Sequence, residues 1–229
     1  MGKGSGGTRS RGTSTGGVVP APAIPRLAYN APTTSDYVPV TDRGMNERQR
    51  VIVQAFEDRW RDAKVEHGLT VDRNGNVIKE RRGGKSSIRW YLSELPKDGV
   101  LTHNHPIELS GGYEGRFWPN VGHSFSGADI NAAITADLKE VRAVTKNYVF
   151  SMRRPASGDW GVKPADFMKA YNASYNQHRN ELRAYAKAGG DMKTILERYG
   201  RLEVVLGHRT MQDMAKKYGF TYTKSRRIK

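Results

Sequence analysis

The sequence predicts an α/β domain, a mixed β-sheet flanked by helices, set between a disordered Gly/Ser/Pro-rich leader (1–44) and a basic helical extension (156–229). Three stretches of the intervening 45–155 carry that reading. Val51, Ile52, Phe56, Trp60 and Ala63 recur at helical spacing, opposite Arg48, Arg50, Asp58 and Arg61, and Asn46 stands where an N-cap belongs. After Glu66, His67-Gly68-Leu69-Thr70-Val71 has strand composition, Asp72-Arg73-Asn74-Gly75 is a turn, and Val77 to Glu80 returns as a second strand. Val100-Leu101-Thr102 is strand-forming and is entered from a Lys97-Asp98-Gly99 turn.

That third stretch delivers His103 and His105. Residues i and i+2 of a strand project from one face, so the two imidazoles can reach a common point, and Pro106 closes the strand. Ser126 and Asp129 open a helix expected to run to Glu140. Two histidines and a carboxylate are the protein ligands of a catalytic zinc site, with a further position left for water. Ser126-Gly-Ala-Asp129 is also a capping box, which needs no metal. Both readings stay open at this point.

His103-Asn104-His105-Pro106 followed by Ser126-Gly127-Ala128-Asp129 resembles the H-x-H-P…S-x-x-D motif of the JAMM (MPN+, or JAB) metalloproteases, and the His-Asn-His-Pro wording is similar to the RadC-type branch and to JAB-like domains of bacterial and phage proteins. The resemblance implies a cytidine-deaminase-like mixed sheet. It implies Zn²⁺ on His103, His105 and Asp129, with Ser126 stabilising the tetrahedral intermediate. It further implies a glutamate near the first strand that polarises water. Glu66, with Gly68 and Leu69 after it, matches that placement; Glu57 and Glu80 compete. The implied activity is hydrolysis of a peptide or isopeptide bond in a protein or peptide substrate. The interval between His105 and Ser126 is longer than the family's usual one. Its residues 107–122 hold four glycines with Tyr113, Phe117 and Trp118, and read as a lid or a tether. His123 is a loop histidine that neighbours the motif.

Ser86 to Leu92 reads as a strand or a short helix, and Val141 to Ser151 as a strand pair around Lys146-Asn147. Pro164 opens an amphipathic helix that runs to about Ala188 and is broken at Gly189-Gly190. Further helices are expected from Asp191 to Tyr199 and from Met211 to Tyr218, followed by a frayed basic end, Lys224 to Lys229.

Composition bounds the function classes. With no cysteine there is neither a disulfide framework nor a thiolate metal site. The net charge of +15 and a pI near 10.0 favour acidic partners, and from His178 onward thirteen Lys/Arg face five Asp/Glu. Tyrosines interleaved with these cations make nucleic acid a candidate partner of the C-terminal helices. No apolar run is long enough to span a bilayer, and the glycine-rich start lacks a secretory signal's apolar region, so a cytoplasmic or virion setting without membrane contact is expected. The rival to the enzyme is a non-catalytic phage or mobile-element protein, structural or nucleic-acid-associated, that keeps a JAB-like scaffold. A metal-dependent nuclease fits less well, because phosphate sites usually gather more carboxylates.

Overall fold

Asn46 begins the first helix as the sequence suggests. Its side chain accepts from Gln49 N while Gln49 Oε1 accepts from Asn46 N, a reciprocal cap that starts α1 (Glu47–Trp60). The structure, a computed structural model, describes Met1 and residues 44–106, 124–145, 148–193 and 202–226. Residues 2–43 of the expected leader, the 107–122 interval, His123, the Lys146-Asn147 turn and residues 194–199 of the expected Asp191–Tyr199 helix lie outside the described residues.

Beyond α1 come β1 (His67–Val71), β2 (Val77–Arg82), β3 (Val100–Asn104), α2 (Gly127–Thr135), β4 (Glu140–Val144), β5 (Tyr148–Arg153), α3 (Pro164–Lys187), α4 (Leu202–Tyr218) and β6 (Thr221–Arg226). The strands form one mixed sheet in the order β2-β1-β3-β4-β5-β6. Its one parallel pair, β3 with β4, is joined through α2; the other pairs are antiparallel.

Helices cover both faces of β3 and β4, while on β1 α1 covers one face and Ile88 and Trp90 stand over Gly68 on the other; all three strands are buried at every position. On one face Val53 and Phe56 of α1 pack against Leu69, Val71 and Val100. On the other, Leu101, Ile130, Ala133, Val141, Phe150, Phe167 and Met211 belong to a larger core that joins α2, α3 and α4 to the sheet. Strand alternation therefore divides β3: Val100, Thr102 and Asn104 face α1, and Leu101 and His103 face α2.

Four expectations are corrected. Val51 is exposed, and Val53 takes the buried place on α1. Glu140 begins a strand instead of ending a helix. Ser86 to Leu92 is irregular, passing into a short 3-10 turn at Leu92–Glu94. The C-terminal extension is not wholly helical: α4 starts before Met211, and Thr221–Arg226, three of whose residues were expected to fray, is an edge strand paired along all of β5. Gly219, at φ +73°, makes the left-handed turn from α4 into that strand. Among the described residues no helix is long and apolar enough to cross a membrane.

Candidate metal centre

The site forms where β3 ends and α2 begins. His103 is the last α2-facing residue of β3. His105 continues the line of the strand, because its backbone N donates to Val144 O at 2.7 Å beyond the final ladder pair. Both imidazoles consequently project from one face, with ring centroids 4.8 Å apart and Nε2 atoms 2.9 Å apart. His103 Nδ1 is buried without a hydrogen-bond partner among the described residues, so Nε2 is the nitrogen turned to use.

Asp129 reaches the same point from the first turn of α2. The capping box is present: Asp129 N donates to Ser126 Oγ at 3.3 Å, and Asp129 Oδ2 accepts from Ser126 N at 2.7 Å and from Ser126 Oγ at 2.8 Å. Those bonds occupy Oδ2 and leave Oδ1 aimed at the histidines, 3.3 Å from His103 Nε2. The two readings of Ser-x-x-Asp therefore coexist, one on each carboxylate oxygen. Burial pushes the Asp129 carboxyl up, but the two imidazoles and the Ser126 bonds outweigh it and hold it below the usual aspartate range.

One ligand atom from each of His103, His105 and Asp129 lies within 4.8 Å of the others, so the trio can hold a metal ion. Donors that each stand about 2.0–2.2 Å from a tetrahedral metal are separated by roughly 3.4 Å, close to the 3.3 Å from His103 Nε2 to Asp129 Oδ1 and somewhat more than the 2.9 Å between the two Nε2 atoms. The donor set is also the right kind: two neutral-capable imidazoles and one carboxylate, all largely withdrawn from water.

The trio lines a cleft of about 370 Å³ together with Glu66, Ser86, Ser87, Ile88, Ser124, Phe125, Ser126 and Ala128. Glu66 immediately precedes β1 and is 6% exposed. Burial raises its pKa above the ordinary value; the nearby His103 opposes that shift and Asp129 adds to it. The competing glutamates are engaged elsewhere. Glu57 is buried on the opposite face of the sheet, where it accepts from Arg142 and Thr102, and Glu80 accepts from Trp60 Nε1 at the β2 edge.

Sequence reasoning missed the cleft wall. Ser86 to Ile88 arrive there because Gly83 and Gly84 fold the chain back over Glu66: Gly83 N donates to Glu66 O, and Glu66 N donates to Gly84 O, each at 2.8 Å. A Cβ on Gly83 would stand 2.4 Å from Ser87 O, so the paired glycines were the available signal. Ser124 is tied to Tyr222 of β6, whose hydroxyl also meets His208 Nδ1 at 2.9 Å. Comparison with protein-family models, with characterised proteins and with solved structures finds no match.

Proposed function

We propose that the chain is a zinc-dependent hydrolase of the JAMM type that cleaves a peptide or isopeptide bond. The observation that carries this reading is the convergence of His103 Nε2, His105 Nε2 and Asp129 Oδ1 in a cleft that also contains a buried carboxyl group, Glu66. The mixed sheet that carries β3 supports the reading at the level of fold class.

Zinc held by His103, His105 and Asp129 would supply Lewis acidity, which brings the pKa of a water toward neutrality. Glu66 takes the proton from the attacking water and delivers it to the leaving amine; its raised pKa suits a group that must hold a proton between those steps. Ser126 has two duties in sequence. In the resting site its hydroxyl donates to Asp129 Oδ2, and to stabilise a developing oxyanion it releases that bond and donates to the substrate oxygen. Phe125 and Ile88 supply apolar wall against which a substrate side chain can pack.

Elemental analysis of the wild type and of a His103→Ala/His105→Ala variant tests the metal, and a panel of peptide and isopeptide substrates tests the reaction. The expected result is one zinc per chain, lost in the double variant, with Glu66→Gln keeping its zinc and losing about 10²–10⁴-fold in turnover. A wild type that takes up no metal at neutral pH would overturn the reading. A metal-loaded protein that hydrolyses nothing, yet shifts DNA in a salt-sensitive way, would instead support the non-catalytic alternative.

A further inference from the structure

Asn104 stands between the two histidines but faces the other side of the sheet, where it is 1% exposed. The β1–β3 ladder ends at the Gly68–His103 pair, and beyond it the Asn104 side chain takes over the role of a backbone. Its Oδ1 accepts from His67 N at 2.6 Å, and its Nδ2 donates to Val65 O at 3.1 Å. A backbone N–H can only donate and a carbonyl can only accept, so these partners fix the amide's orientation. The two bonded groups flank a single residue, Glu66.

Glu66 is held from the opposite side as well, by the Gly83 and Gly84 backbone. It thus lies between two strands' worth of hydrogen bonds, one set made by main chain and the other by one buried amide. We infer that Asn104 is the positioning residue for Glu66: the side chain on one face of β3 fixes the backbone that aims a carboxylate into the cleft on the other. One element then sets both halves of the site, since β3 carries His103 directly and orients Glu66 through Asn104. The functional consequence rests on Glu66 acting as the base in the reading above; the structural claim does not.

Three forms of the protein test this: wild type, Asn104→Ala and Asn104→Asp. Alanine removes both bonds. Aspartate is nearly isosteric, keeps the acceptor for His67 N and turns a second acceptor against Val65 O, so it provides a folded variant should alanine fail to fold. ¹⁵N relaxation and amide exchange are read on metal-free protein and need no substrate. The expected wild type has Glu66 and His67 order parameters near the rigid value of about 0.85, dropping toward 0.6 in Asn104→Ala. The His67 amide should exchange at least tenfold faster in Asn104→Ala and stay protected in Asn104→Asp. Zinc content should match wild type in both variants, because the ligands are untouched. If the wild type hydrolyses peptide, both variants should lose about tenfold or more in kcat with KM within twofold. Unchanged order and exchange in Asn104→Ala, or in Asn104→Asp an unchanged order parameter at Glu66, would overturn the clamp whether or not the protein is an enzyme. Loosened backbone with unchanged kcat in an active enzyme would overturn the positioning role alone, and an inactive wild type with the expected loosening would fault the hydrolase reading instead.

Discussion

Arg142 carries a full charge into the sheet at 2% exposure, and the residues around it show what makes that tolerable. Its Nε and Nη2 donate to the two oxygens of Glu57 at 2.7 and 3.1 Å, and Nη1 donates to Glu140 Oε1 at 3.0 Å. Thr102 Oγ1 adds a bond to Glu57, and Ser151 Oγ adds one to Glu140. Burial alone would lower the guanidinium's pKa, but the two carboxylates more than reverse that and hold it above its ordinary value. Replacing Arg142 with Met should leave two buried carboxylates facing each other and cost about 3–5 kcal/mol in urea unfolding. Substituting all three charges with apolar residues of similar size should recover most of that loss. A single variant within 1 kcal/mol of wild type would show the network to be dispensable. Glu57 also marks a limit of sequence reading. Its partner lies 85 positions away, so nothing local distinguished a buried structural carboxylate from a candidate base. The histidines were legible because period-two spacing alone decides which face they share.

Element by element, legibility follows how local the determining interaction is. The caps of α1 and α2 are contained within four residues, so Asn46 was readable as an N-cap and Ser126-x-x-Asp129 as a capping box, while the return bond of Gln49 to Asn46 N came only with the structure. β6 was not, because T-Y-T-K-S-R looks like a solvated basic end until β5 supplies its partner. The contact between α4 and β6 also gives the protein an acid-sensitive joint. Burial, reinforced by the positive charges of Lys224 and Arg209, pushes His208 down to about 3. In the unfolded chain it would titrate near 6.5. Between those values the unfolded state binds a proton that the folded state does not, so stability falls as pH drops from about 6.5 toward 3. The slope is about 1.4 kcal/mol per pH unit for one proton. His208→Gln removes that proton, and its stability between pH 6.5 and 4 should decline less steeply than wild type by about that amount per unit. Parallel stability–pH curves for the two proteins would refute the assignment.

At the scale of the whole molecule the question is whether the basic C-terminal region is an appendage or part of the body that holds the site. Phe167, Met211, Met214 and Phe220 share one core with Leu101, Val141 and Phe150 of the sheet, and β6 covers β5 from Tyr148 to Arg153. The region also reaches the cleft: Tyr222 bonds Ser124, which lies two residues before the N-cap of the helix that presents Asp129. A chain ending at Phe220 tests this, since it removes β6 and leaves every proposed ligand in place. At ~1 kcal/mol net per ladder hydrogen bond the loss is a few kcal/mol, or a fall of about 10 °C in Tm for a protein of this size. Freed of Tyr222, the 124–126 segment should hold Asp129 less firmly, and zinc affinity should fall with the melting temperature. An appendage would come away without either change. Calorimetry and a zinc titration on the truncated chain therefore decide whether β6 belongs to the body that holds the site, and matched values with the full chain would show that strand to be an add-on to a domain completed by α3 and α4.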